Sequence, residues 1–190
     1  MSRITLLARH PRRTLATLGT VLAAVGVTYA SGADFTAQSA NPANTFSTGT
    51  LTMSNSKDNA AVLTASGLRP GAAATEGTVD IANTGSLSGA FTLTRETPVD
   101  SDTTNPLSGK LNAVIDDCGV FTGSTAPTCG DGDDVTKYTG TVASLGTLSN
   151  LGTFNAGVKH RYRFRVSLDQ SADNNYQGDS STVAFTWNAA

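Results

Sequence analysis

The chain has 190 residues, 15% of them charged and 38% hydrophobic, with two cysteines and a formal net charge of −2. Four of its 13 basic residues (Arg3, Arg9, Arg12 and Arg13) lie at the extreme N-terminus while all 15 acidic ones come later, so residues 31–190 carry 9 − 15 = −6. That acidic balance argues against nucleic acid as a partner, and the length suits one domain with a continuous core.

No charge follows Arg13 until Asp34. A cationic head followed by an apolar run is the layout of a secretory signal. The strongly apolar centre, Leu15 to Val27, is shorter than the roughly 20 residues a spanning helix needs. Cleavage is therefore expected rather than a stable membrane anchor. The twin-arginine reading of Arg12-Arg13 fits poorly with the residues after the pair. Small residues at the last and third-last positions place the cut between Ala30 and Ser31, with the bond before Asp34 as second choice. Residues 1–30 then form the signal peptide, signal peptidase is a partner, and the product is secreted to the medium or the cell surface.

Residues 31–43 hold too few apolar side chains to build a core strand unaided, but Phe35 and Ala37 alternate as a docking strand would require. Pro42 sits at the end, where a missing N–H matters least. The segment is read as a flexible candidate donor strand, and residues 44–190 as the folded domain.

In that domain the apolar period is two. Val79 and Ile81 alternate with Thr78 and Asp80, Phe91 and Leu93 with Thr92 and Thr94. His160, Tyr162, Phe164 and Val166 alternate with Lys159, Arg161, Arg163 and Arg165, and Val183, Phe185 and Trp187 line one side of 181–188. Further strands are expected at 45–53, 60–66, 109–116 and 136–143, with turns at Arg69-Pro70-Gly71 and Asn83-Thr84-Gly85. About eight short strands between turn clusters predict an all-β fold, a two-sheet antiparallel β-sandwich of jelly-roll type.

Cys118 and Cys129, in an exported chain and without CxxC spacing, predict a disulfide rather than a redox or metal pair. Neither follows the signal directly, so no lipoprotein anchor is expected. Asp131, Asp133 and Asp134 in "DGDDV" offer oxygen ligands for Ca²⁺ but lack the full loop and its distal Glu, so calcium is a weaker candidate than an acidic turn. The basic row Lys159, Arg161, Arg163 and Arg165 is either a solvated outer face or a docking surface for an acidic partner. Nothing calls for a cofactor.

Enzyme chemistry has little to work with. His160 is the one histidine after the signal; no His-Glu-x-x-His helix and no G-x-S-x-G elbow occur. Asp116 and Asp117, adjacent on one strand, cannot both face inward. His160 reads as a packed residue and no catalytic residue is assigned.

Three stretches, "NTFSTGTLTM" at 44–53, "LTASGLRPGAAATEGTVDIANTGSL" at 63–87 and "NYQGDSSTVAFTW" at 175–187, resemble the TasA/camelysin family of secreted bacterial proteins. Thr28-Tyr29-Ala30 is similar to that family's exit from the signal, Gly67 to Gly71 to its Leu-x-Pro-Gly connection, and Asn83 to Leu87 to its Asn-x-Gly-Ser-Leu bend. The stretches cover less than half of the chain after the signal, and 97–157 departs freely. The resemblance implies a dedicated signal peptidase and an extracellular jelly-roll subunit that polymerises into biofilm-matrix fibres; the donor strand 31–43 would make the polymer head-to-tail, with an assembly partner or a matrix component as further candidate partners. A secreted adhesive or binding module is the alternative. Some relatives carry a metallopeptidase label, for which this sequence supplies no zinc motif.

Overall fold

A computed structural model describes residues 47–190, and Ser47–Ala190 form one compact unit. The expected signal peptide, the expected cut between Ala30 and Ser31, and the candidate donor-strand residues Phe35 and Ala37 lie outside the described residues.

The unit is all-β with antiparallel pairing. In chain order its strands are β1 (Met53–Asn55), β2 (Thr75–Asn83), β3 (Gly89–Arg95), β4 (Val99–Asp100), β5 (Leu111–Phe121), β6 (Val135–Thr141), β7 (Thr147–Leu148), β8 (Thr153–Phe154), β9 (Lys159–Leu168), β10 (Ser181–Thr182) and β11 (Phe185–Ala189). One sheet has the order β1-β2-β9-β5-β6; β3 is flanked by β11 and β7 and also pairs with β8; β10 pairs with β4.

Alternation decides which side chains are buried. Val79 and Ile81 of β2, Tyr162 and Phe164 of β9 and Ile115 of β5 meet Phe91, Leu93, Phe154 and Trp187 in one core. Aromatic rings carry the contact: Phe91 stacks on Phe154 at 4.1 Å, Tyr162 lies 5.1 Å from Trp187, and Phe164 lies 5.1 Å from Phe185. Each such ring buries a large apolar area. A smaller cluster, Leu111, Ala113, Val142, Leu168 and Ala172, fills one end.

Both predicted turns form. Ala72 N–H donates to Arg69 C=O at 3.1 Å, with Pro70 and a positive-φ Gly71 (φ 73°) between them, the residue order of a type II turn. The fully buried Asn83 accepts from Gly85 N–H (2.9 Å) and donates to the carbonyls of Leu87 (2.7 Å) and Phe154 (2.9 Å), pinning the bend after β2 to β8.

Three expectations are corrected. Residues 60–66 are not a strand, because the neighbours Val62 and Leu63 both pack on the main core, which alternation forbids. This segment crosses β2 at Gly77, where a Cβ would stand 2.8 Å from that of Leu63. Of the expected strand 45–53, whose described part is 47–53, only Met53 enters β1. The stretch 181–188 divides into β10 and β11, which pair with different strands, since Val183 serves the smaller cluster while Phe185 and Trp187 serve the main one.

Candidate functional site

The largest concentration of charge lies across β2, β9 and β5. On the face turned away from the core, β9 presents Arg161, Arg163 and Arg165 between acidic residues of its two neighbours, because Asp80 is registered with Arg161 and Asp116 with Arg163. Arg161 grips Asp80 through Nε (2.7 Å) and Nη2 (2.9 Å), a bidentate pair. Arg163 Nη2 donates to Asp134 (2.6 Å) and Asp116 (3.2 Å), and Arg165 Nη2 donates to Asp116 at 2.7 Å. Burial raises the Asp116 pKa, but Thr136 and the two guanidiniums outweigh it and hold the carboxyl below its ordinary value.

The basic row, read as a solvated face or a docking surface, is a partly exposed one: the side chains of Arg161, Arg163 and Arg165 are 29%, 14% and 37% exposed. Its three arginines pair with acids of the same chain, and the row is partly covered by the loop after β5. That loop is closed by the Cys118–Cys129 disulfide, as expected from the sequence. It brings Pro127 C=O to Arg161 (3.5 Å), Gly123 C=O to Lys159 (3.2 Å) and Asp134 to Arg163. Lys159 also lies over the Phe121 ring at 5.5 Å.

The same contacts explain the acidic turn. Asp134 is engaged by Arg163 and by Gly130 N–H (2.8 Å), while Asp131 accepts from Asp133 N–H (3.2 Å). Among the described residues no three carboxylate, histidine or cysteine side chains are grouped so as to hold a metal ion. Of the three calcium candidates, Asp134 is thus paired through Oδ2 with Arg163, and Asp131 bonds within the turn itself.

On the core-facing side of the same sheet stands a second group. His160 Nδ1 lies 3.1 and 3.0 Å from the two oxygens of Asp117, and its ring stacks on Phe154 at 4.2 Å. Lys137 Nζ lies 3.5 Å from Asp117 Oδ2. Asp117 is 5% exposed. Burial pushes its carboxyl up, but the hydrogen bond and charge of His160, the Gly119 N–H and the Lys137 charge together bring it below the ordinary value. Among the described residues no hydroxyl bonds to His160, so the pair has an acid but no nucleophilic serine. As alternation requires, Asp116 and Asp117 face opposite sides of β5, yet both are buried.

Sequence reasoning placed Asp80 and Arg161 on wet faces but could not pair them. It missed Lys137 altogether, since only a shift in strand register turns that side chain toward Asp117.

A third feature is a groove of about 830 Å³ at one end of the sheets, with Val62, Leu63, Leu68, Phe164, Val183 and Phe185 in its lining. It is bordered by the irregular segment 61–70 and by residues 172–185, and it lies within the size range of binding pockets.

In comparisons with known proteins, no family model matches this chain and no curated protein matches it.

Proposed function

We propose that the protein is a secreted structural subunit of an extracellular matrix fibre, folded as a two-sheet sandwich of jelly-roll type. In this reading residues 31–43 of one copy add to the next by strand exchange, a head-to-tail contact that does not close and so grows. The observation that carries the reading is the apolar groove beside Phe164, Val183 and Phe185. An extended segment rises about 3.3 Å per residue and turns every second side chain to one face, so Phe35 and Ala37 would enter such a groove together. The resemblance of 44–53, 63–87 and 175–187 to secreted fibre proteins supports it. The peptidase label of some relatives would need a ligand set that the described residues do not bring together.

Electron microscopy of the secreted protein tests the reading. The chain beginning at Ser31 should form filaments. The chain lacking 31–41 should remain a folded monomer, and Phe35→Asp should weaken assembly in the same way. Filaments from the truncated chain that match the parent's would refute strand exchange. Saturable capture of an unrelated peptide by a stable monomer would favour the binding module.

A further inference from the structure

Lys137 owes its orientation to an irregularity. Along β5 and β6, Ile115 pairs with Tyr138 and Asp116 with Thr136, so Lys137 is an extra residue with no partner of its own. A bulge of this kind re-aims a side chain out of strict alternation. Here it brings Lys137 Nζ to Asp117 on the core-facing side. A second register shift follows at once, between Asp117 and Gly119 against β9. The carboxylate thus sits between two breaks in the ladder, held by Gly119 N–H (3.1 Å) and by His160 at both oxygens.

Both partners are withdrawn from water, with side chains 15% (Lys137) and 7% (Asp117) exposed. Desolvating an ion pair is costly, and the attraction only partly offsets it. What the arrangement offers in return is an amine and a carboxyl fixed near contact on neighbouring strands, with an imidazole on the carboxyl oxygens. Those are the elements of an intramolecular acyl transfer.

We propose that Lys137 and Asp117 are joined by an isopeptide bond, formed with His160 as the proton carrier. The ammonium of Lys137 passes a proton to the carboxylate, leaving an amine and a carboxylic acid. Nζ attacks Cγ; His160 gives its Nδ1 proton to the departing oxygen and recovers one from the nitrogen of the adduct. The Cγ–N bond forms, a Cγ–O bond breaks and one water leaves, with no oxidant or outside reagent. Well-oriented groups react with effective molarities of about 10⁵–10⁸ M, and the Asp117 side chain, 7% exposed, is largely withdrawn from the water that would hydrolyse the amide. The bond would tie the edge strand β6 to β5 covalently, independently of whether the protein forms fibres.

Peptide mapping of the folded full chain by tandem mass spectrometry, after reduction of the disulfide, decides the matter. A branched peptide joining Lys137 to Asp117, lighter by one water than its two parts, is expected, and Lys137→Arg should remove it. Linear peptides with both side chains free, recovered from folded wild-type protein, would overturn the proposal whatever the variant does. His160→Gln, judged folded by its near-ultraviolet circular dichroism, should form the bond about 100-fold more slowly after refolding, the low end of general acid–base contributions. An unchanged rate would overturn the role given to His160.

Discussion

Arg165 and Asp116 stand on adjacent strands, and the guanidinium Nη2 meets the carboxylate at 2.7 Å where that carboxylate is only 1% exposed. Asp116 also receives Arg163 and the Thr136 hydroxyl (2.8 Å), so one buried acid joins β5, β6 and β9. Removing one member of a buried ionic group leaves the others uncompensated, at a cost of about 3–5 kcal/mol. Asp116→Ala should therefore destabilise the fold by that amount in denaturant titration. A loss below about 1 kcal/mol would mean that solvent already screens the arginines.

Acid should unfold the protein in a defined window. Asp116 is held below its ordinary value. A carboxyl depressed in the folded state stabilises above its unfolded value, about 3.9, and that contribution is lost as pH falls through the folded value. Stability measured by circular dichroism should be level in these terms above about pH 5 and fall below about pH 4. Asp116→Asn should flatten the fall.

Alkali should act through Tyr162. Its side chain is fully buried with its hydroxyl among those lacking a partner, and burial raises its pKa. A group raised on folding stabilises fully below its unfolded value, about 10 for tyrosine, and the contribution is lost as pH rises beyond it. In an absorbance titration Tyr162 should ionise only together with cooperative unfolding, whereas Tyr162→Phe should leave one fewer phenol in that step.

The disulfide closes the loop that covers the basic row. The chain-entropy model gives about 3 kcal/mol for a short closed loop. Replacing Cys118 and Cys129 by serine should cost roughly that in denaturant titration. It should also raise hydrogen exchange between residues 122 and 134. Unchanged exchange there would show that the Arg163–Asp134 pair and its neighbours hold the loop without the bridge.

Much of the fold was legible because each sheet face is either packed or wet, and period-two alternation records that directly. The alternating residues around Val79 and Ile81, around Phe91 and Leu93, and from Lys159 to Val166 became β2, β3 and β9. Asn83-Thr84-Gly85 and Arg69-Pro70-Gly71 became turns because their residue types suit those bends. The cysteine pair became a bridge. Where alternation was absent the reading failed: Val62 and Leu63 are both apolar and both packed, as an irregular segment permits and a strand does not.

The charged groups belong to the tertiary structure. Alternation told that Arg161, Arg163 and Arg165 share a face, but only strand order sets Asp80 on one side of them and Asp116 on the other. Lys137 is the sharper case. It reaches Asp117 because one extra residue in β6 reverses the expected face, and such an insertion has no local signature in side-chain chemistry. Periodicity is a property of a single strand and can be read along it; register is a relation between two strands, fixed by packing across the whole sheet.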